Sequence, residues 1–452
     1  MKRVRAASAL FGGYQHPTQM IAVGFGIAIL LGALLLSLPA STAAGQTTDW
    51  MTAVWTATAA VSLTGLTIVD TPVHWSAFGE VIIIGLVQIG GLGIMTLATV
   101  FTVLVSGRLG LRARLFAQAE TKTPTMAGMR SVVRKVVVYS LVCEAVAAAV
   151  FTVRFMTGYG EGFGRALYLG VFHGVSAFNN AGFTLWSDSL VRFAGDPWIC
   201  LTVAAAVIVG GLGFPVVFEL LRSWRHPGRW SVLTTITVFA TLVLLVLGTL
   251  VYLATEWHNP GTLGGLDDSG KLLGAFFLSA MARTAGFNSV DIGDLYPSSW
   301  LLSDVLMFIG GGSAGTAGGI KVTTLGLLLF VIWAELRGEP KVNVRHRQVP
   351  ETAQRQAVVV TAMSGALVVF STYVLLVLTP HSLDRVLFEV TAAFSTAGLT
   401  TGITNEIPPA GHVLLIVLMF VGRIGPLTIG SALALKERAR RYELPEERMI
   451  VG

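Results

Sequence analysis

Charge is scarce in this sequence: 12% of its 452 residues are Asp, Glu, Lys or Arg, about half the share found in soluble globular chains. So few charges cannot cover a water-exposed surface, which excludes most soluble enzymes. Disordered chains and coiled coils, both rich in charge, are excluded with them. Cysteine is nearly missing. The two present, Cys143 and Cys200, lie in apolar runs and read as buried thiols, not as a disulfide or a metal pair. The eight histidines show no ligand spacing, so no metal site is expected. What fills the chain is apolar: 53% hydrophobic residues and 51 glycines, with a mean hydropathy of +0.71. The bilayer is the natural solvent for such a composition, and glycine lets membrane helices approach closely.

Eight stretches reach the length of about 20 apolar residues that spans a bilayer: 17–39, 77–105, 131–156, 197–222, 230–255, 299–334, 354–380 and 410–435. The first follows Lys2, Arg3 and Arg5, but its apolar run from Ile21 to Pro39 exceeds the roughly 7–15 residues of a signal sequence, so a retained helix is expected. If all eight cross, 23 of the 31 lysines and arginines fall on one side, at the amino terminus, in alternate links and in the tail from Lys436. The opposite links carry acids such as Asp70, Asp188, Asp196, Glu256 and Glu406. The positive-inside rule then places both termini in the cytoplasm of a multi-pass plasma-membrane protein. Topology thus accounts for the net charge of +6, and no link is long enough for a basic nucleic-acid-binding domain.

The four outward links share a plan. Each holds a moderately apolar stretch of about 12–15 residues, too short to span, and then a glycine-centred turn. The turns are Ser62-Leu63-Thr64-Gly65-Leu66-Thr67, Asn179-Asn180-Ala181-Gly182-Phe183-Thr184, Arg283-Thr284-Ala285-Gly286-Phe287-Asn288 and Ser395-Thr396-Ala397-Gly398-Leu399-Thr400. Their glycines lie 117, 104 and 112 residues apart, so four units occupy nearly the whole chain. The expected architecture is all-α. It has four spanning helix–pore helix–spanning helix repeats around one central pore, with eight spanning helices and four re-entrant half-helices. The repeats are 17–105, 131–222, 230–335 and 354–435. They are joined by cytoplasmic links 106–130 and 336–353 and flanked by residues 1–16 and 436–452. Irregular backbone survives at membrane depth only when buried in protein or lining water. Four such turns around an axis direct carbonyl oxygens inward, where they replace the hydration shell of a cation, and glycine admits conformations closed to residues with a Cβ.

These residues resemble the Trk/Ktr/HKT superfamily of potassium transporters, most closely its bacterial Ktr-type membrane subunit. The matching stretches are Thr64-Gly65-Leu66, Phe178 to Phe183, Ala282 to Phe287, Gly310 to Lys321 and Gly422 to Thr428. Trk-type members usually carry two extra amino-terminal helices, and this chain opens on the first repeat, as Ktr-type chains do. The resemblance implies potassium uptake through a selectivity filter of carbonyls from Leu63 and Thr64, Asn180 and Ala181, Thr284 and Ala285, and Thr396 and Ala397, together with Gly65, Gly182, Gly286 and Gly398. Four glycines imply potassium preference, whereas serine at the first would have implied sodium. Ala397 is a mild departure, since valine is also expected there. The resemblance further implies a membrane homodimer, a cytoplasmic ring of nucleotide-binding regulatory subunits, and no tightly bound cofactor. Potassium is then the substrate, and sodium is left open as an activator or coupled ion.

The sixth segment is interrupted by Gly310-Gly311-Gly312-Ser313-Ala314-Gly315-Thr316-Ala317-Gly318-Gly319. Each glycine costs a helix about 1 kcal/mol relative to alanine, so the run unwinds. Tight packing through small residues is the competing reading. A phosphate loop is not, because Ile320 separates Gly319 from Lys321 where the motif needs Gly-Lys. The resemblance implies an intramembrane gate whose serine, threonine and free carbonyls face water. Arg423 lies deep in the last segment, where ionisable residues are costly and functional. It reads as a pore-facing barrier touching the gate, or as a structural cation bonded to carbonyls. Arg283 is expected to turn away from the filter and brace it against Glu389 or another buried acid. Glu144 and Lys321 read as members of structural pairs. Two other functions remain as alternatives: a sodium-selective or sodium-coupled transporter of the same superfamily and, remotely, an intramembrane enzyme. The enzyme would need converging titratable groups that the repeats lack.

Overall fold

The computed structural model describes residues 17–106, 126–344 and 347–435. The amino-terminal segment 1–16, most of the link 106–130 and the tail 436–452, all assigned above to the cytoplasm, lie outside the described residues. Most of what is described is helix, in four units of one plan. The first unit is α1 (Pro17–Leu36), α2 (Trp50–Ser62) and α3 (Ala77–Ser106). The second is α4 (Met126–Tyr159), α5 (Phe163–Phe178), α6 (Pro197–Gly211) and α7 (Phe214–Ser223). The third is α8 (Val232–Glu256), α9 (Asp268–Met281), α10 (Pro297–Ile309) and α11 (Val322–Leu336). The fourth is α12 (Glu351–Leu378), α13 (Leu383–Phe394) and α14 (Pro409–Leu435). A hairpin of β1 (Asn343–Val344) and β2 (Arg347–Gln348) lies between α11 and α12.

Capping side chains start several of these helices where the apolar runs begin. Asp49 accepts from the Met51 amide at the head of α2, Asp267 from Gly270 on α9, and Ser231 from Thr234 on α8. These bonds occupy donors that a helix start leaves unpaired. The distribution of apolar side chains is that of a chain solvated by lipid. Leu242, Leu247 and Leu250 on α8 and Val369, Phe370 and Tyr373 on α12 are exposed, while α2 is buried from Trp55 to Ser62 and α13 from Phe388 to Phe394. The short helices form the core, and the long ones turn leucine and phenylalanine outward.

The units are arranged in a closed ring. Each short helix packs against the first long helix of its own unit and also against the helix that follows the short one in the preceding unit: α5 on α3, α9 on α6, α13 on α10, and α2 on α14. The last of these contacts joins the fourth unit to the first. Three helices, over 131–159, 232–256 and 351–378, are long and apolar enough to span on their own. The segment 197–222, expected as one helix, is two, bent by 100° between Gly211 and Phe214. Gly213 at φ 90° ends the run. Pro215, in the first turn of α7, has no amide to continue the bonding of α6. The segment 299–334 is likewise divided into α10 and α11 by the glycine-rich run, as expected.

Candidate functional site

All four short helices end at the centre in the same backbone manoeuvre. A non-glycine residue takes a left-handed conformation: Leu63 (φ 60°), Asn180 (56°), Thr284 (79°) and Thr396 (50°). Two residues later a glycine does so: Gly65 (73°), Gly182 (71°), Gly286 (76°) and Gly398 (75°). Positive φ is uncommon outside glycine, so its recurrence at one position in each unit marks a shared geometry. In three units the amide before the glycine returns to the carbonyl five residues back: Thr64 to Ala59, Ala181 to Ser176 and Ala397 to Ala392, each at 2.8 Å. The third unit differs, with Ala285 bonding to Met281, four residues back.

The four turns meet. A Cβ placed on Gly65 would strike the carbonyl oxygen of Ala181. One on Gly182 would lie 2.8 Å from that of Ala285, one on Gly286 would lie 2.9 Å from that of Ala397, and one on Gly398 would strike that of Thr64. The order runs from the first unit through the fourth and back to the first. The carbonyls of Thr64, Ala181, Ala285 and Ala397 thus lie against the neighbouring glycines in a closed ring. The short helices also present their carboxyl ends, the negative ends of their dipoles, to this ring.

Left-handed non-glycine residues cost about 1–3 kcal/mol each and persist only where their surroundings enforce them. The surroundings differ from unit to unit. Trp55 Nε1 donates to Leu66 O at 2.7 Å, and Ser176 Oγ to Phe183 O at 2.8 Å. Glu144 accepts from Gln88 Nε2 at 3.0 Å and from Asn179 Nδ2 at 3.2 Å. Glu389, fully buried, accepts from Thr400 Oγ1, the Thr401 amide and Thr404 Oγ1 at 2.5, 3.0 and 2.9 Å. Glu389 is therefore not the partner of Arg283. Arg283 Nη2 donates to Thr241 Oγ1 and to Gly310 O, both at 3.3 Å, so a hydroxyl on α8 and a carbonyl at the start of the glycine-rich run solvate it in place of an acid. Glu144 and Lys321 are not ion-paired among the described residues either; Lys321 Nζ donates to Ala317 O.

The run Gly310–Gly319 lies under one face of the ring. Thr316 Oγ1 donates to Asn180 Oδ1 at 3.0 Å, and the Gly318 amide to Thr284 Oγ1 at 3.2 Å. Gly318 also packs against Thr396. The run is held from the side by the broken span of the second unit: Gly312 N donates to Gly211 O at 2.8 Å and Thr316 N to Gly210 O at 3.2 Å. Arg423 Nη1 donates to Thr316 O. Apart from half-buried Ser313 and Ala314 the run is buried. Its polar groups thus meet protein, not the water expected above. The opposite face of the ring opens into a cavity of about 320 Å³ lined by all four glycines. Every expected site residue thus falls in this one assembly. The seat offered by Gly210 to Gly213 was not anticipated, although two glycines, a third two residues on, and Pro215 were a visible signal of a break.

The family model described as TrkH, cation transport protein, matches residues 13–438. The Ktr system potassium uptake protein B of Bacillus subtilis (strain 168) is 38% identical over 437 residues, 96% of this chain and 97% of its own length. The protein of the same name from Vibrio alginolyticus is 39% identical over 436 residues, 96% of this chain and 94% of its own. The potassium/sodium uptake protein NtpJ of Enterococcus hirae is 33% identical over 442 residues, 96% and 97%. The crystal structure of the potassium transporter TrkH from Vibrio parahaemolyticus shares the fold, with a TM-score of 0.68 over 92% of this chain and 85% of that one at 19% identity.

Proposed function

Since the chain belongs to the TrkH family of cation transport proteins, we propose that it takes up potassium across the plasma membrane through the ring of four glycine turns. The closed circuit of carbonyls from Thr64, Ala181, Ala285 and Ala397 carries this reading. Carbonyl oxygens held by a rigid frame replace the hydration shell of a dehydrated cation without a fixed charge to trap it. The left-handed residues Leu63, Asn180, Thr284 and Thr396 supply the next layer of oxygens. The open cavity faces outward and the buried run faces the cytoplasm, in accord with eight crossings and both termini inside.

In this reading the run Gly310–Gly319 is the gate. It blocks the inner face of the filter while bonded to Asn180, Thr284 and Arg423, and conduction requires it to leave. A partner protein is supported by the relatives' designation as parts of a Ktr system; that the partner is a cytoplasmic nucleotide-binding regulator and that the chain pairs as a membrane homodimer rest on the family resemblance alone. The relatives are named as uptake proteins, not enzymes. The name of the Enterococcus hirae relative, potassium/sodium uptake protein, favours one second reading, in which sodium is also carried or coupled.

The test is cation uptake into liposomes holding the purified chain, potassium against sodium, with and without Gly286→Ser. Potassium-selective uptake that loses its selectivity in the variant is the expected result. Equal uptake of both ions in both proteins overturns the filter assignment, and sodium uptake that exceeds or drives potassium uptake supports the second reading.

A further inference from the structure

The cavity on the open face of the ring carries one charge. Among the described residues that line it, Asp70 is the only ionisable one; the others offer hydroxyls, amides and apolar surface. Asp70 is exposed, and its main chain is well anchored. Its carbonyl accepts from the His74 amide at 2.8 Å, closing a one-turn helix, and His74 Nε2 is bonded in turn to Thr48 Oγ1 at 2.8 Å. The carboxylate itself caps nothing. Several other acids of these links are engaged. Asp188 is paired with Arg192 at 2.7 Å and Asp196 with Arg154 at 2.7 Å, and Glu406 faces His381 at 3.3 Å. Asp267 caps α9.

A ring of carbonyls is neutral, and its field fades within a few ångströms. A net charge acts over about a Debye length, roughly 8 Å at physiological ionic strength. Fixed charge of one sign beside a low-dielectric wall concentrates its counter-ions. We propose that Asp70 is an electrostatic positioning residue for the entry step: its free carboxylate gathers cations into the cavity and sets the potassium concentration that half-saturates uptake. The inference rests on the reading of the glycine ring as a potassium filter.

The test compares the full chain with Asp70→Asn and Asp70→Cys in bacterial cells deficient in potassium uptake, with osmolarity held constant by sorbitol. At low ionic strength Asp70→Asn is expected to raise the half-saturating potassium concentration about threefold, the factor for one unit charge at roughly 6 Å in water. The change falls on this constant and not on the maximal rate. It shrinks toward none as choline chloride rises from roughly 0.01 M to roughly 0.5 M, over which the Debye length falls from about 30 Å to about 4 Å. Labelling Asp70→Cys with a sulfonate-bearing methanethiosulfonate restores the lower constant, and a trimethylammonium-bearing one raises it further. Cys200 is buried and Cys143 half-buried in an apolar groove, so the unsubstituted chain controls for their labelling. An unchanged constant in Asp70→Asn, or a change that persists at high salt and ignores the sign of the label, overturns the proposal. Failure of the filter reading is distinct: potassium and sodium are then carried equally, whatever stands at position 70.

Discussion

Arg423, on the last spanning helix, donates to the main-chain oxygen of Thr316 in the glycine-rich run. This bond crosses from the fourth unit to the third and fastens the run beneath the ring. Nε and Nη2 of the same guanidinium have no partner among the described residues. The charge therefore rests on a single carbonyl contact, an expensive arrangement in a buried place. Losing it should loosen the run without leaving a buried acid unpaired. A hydrogen bond to a charged group contributes about 1.5–3 kcal/mol. Arg423→Ala is thus expected to raise basal potassium flux about tenfold or more, while the protein still elutes as a folded species. Basal flux equal to wild type would remove Arg423 from the gate.

Removing the run tests the same gate without touching α14. Deleting Gly311–Thr316 takes away the bonds to Gly210, Gly211 and Asn180 together. Flux is expected to rise at least as far as in Arg423→Ala, and adding Arg423→Ala to the deletion should change little, because both act on one closed state. Additive increases would show two separate barriers.

The legible part of this molecule is the part where only one kind of residue serves. Gly65, Gly182, Gly286 and Gly398 recur because each turn needs positive φ and each faces a neighbour's carbonyl with no room for a Cβ. The apolar helices were legible because lipid demands long apolar runs. Hydropathy reports where a segment partitions, not whether its backbone is continuous, so hydropathy passed over the break at Gly213 that Gly210, Gly211, Gly213 and Pro215 signalled. The partners of Arg283 were hidden for another reason. Main-chain oxygens occur at every residue, and nothing in the residue types marks Gly310 O, 27 positions away, as the acceptor.

Glu389 organises the residues just beyond the fourth turn by accepting from three threonines. Glu389→Gln keeps the size but replaces the acceptor oxygen facing Thr404 Oγ1 with an amide donor, so that hydroxyl must turn from donor to acceptor or lose its bond. Unsatisfied buried donors cost about 1–3 kcal/mol, and for larger domains each kcal/mol moves Tm by about 2–4 °C. The variant should melt several degrees lower and lose part of its preference for potassium over sodium. A lower Tm with intact selectivity would make Glu389 a support of the outer loop only.

Gly213 joins the two halves of the broken span, and it tests whether that break is the seat of the gate. Its φ of 90° is closed to alanine without strain, and a Cβ there would collide with Ser313 O in the run. The collision is with backbone, so the run must move. Gly213→Ala should therefore lift the run from Gly210 and Gly211 and raise basal potassium flux several-fold, as a loss of about 1–2 kcal/mol in the closed state requires. Gly195 is the control, since a Cβ on it meets nothing within 4 Å, and Gly195→Ala should conduct like wild type. If Gly213→Ala conducts normally yet melts lower, the break shapes the second unit but does not hold the gate. If it conducts more, the closed state depends on three units at once: the third supplies the run, the second seats it, and the fourth fastens it through Arg423.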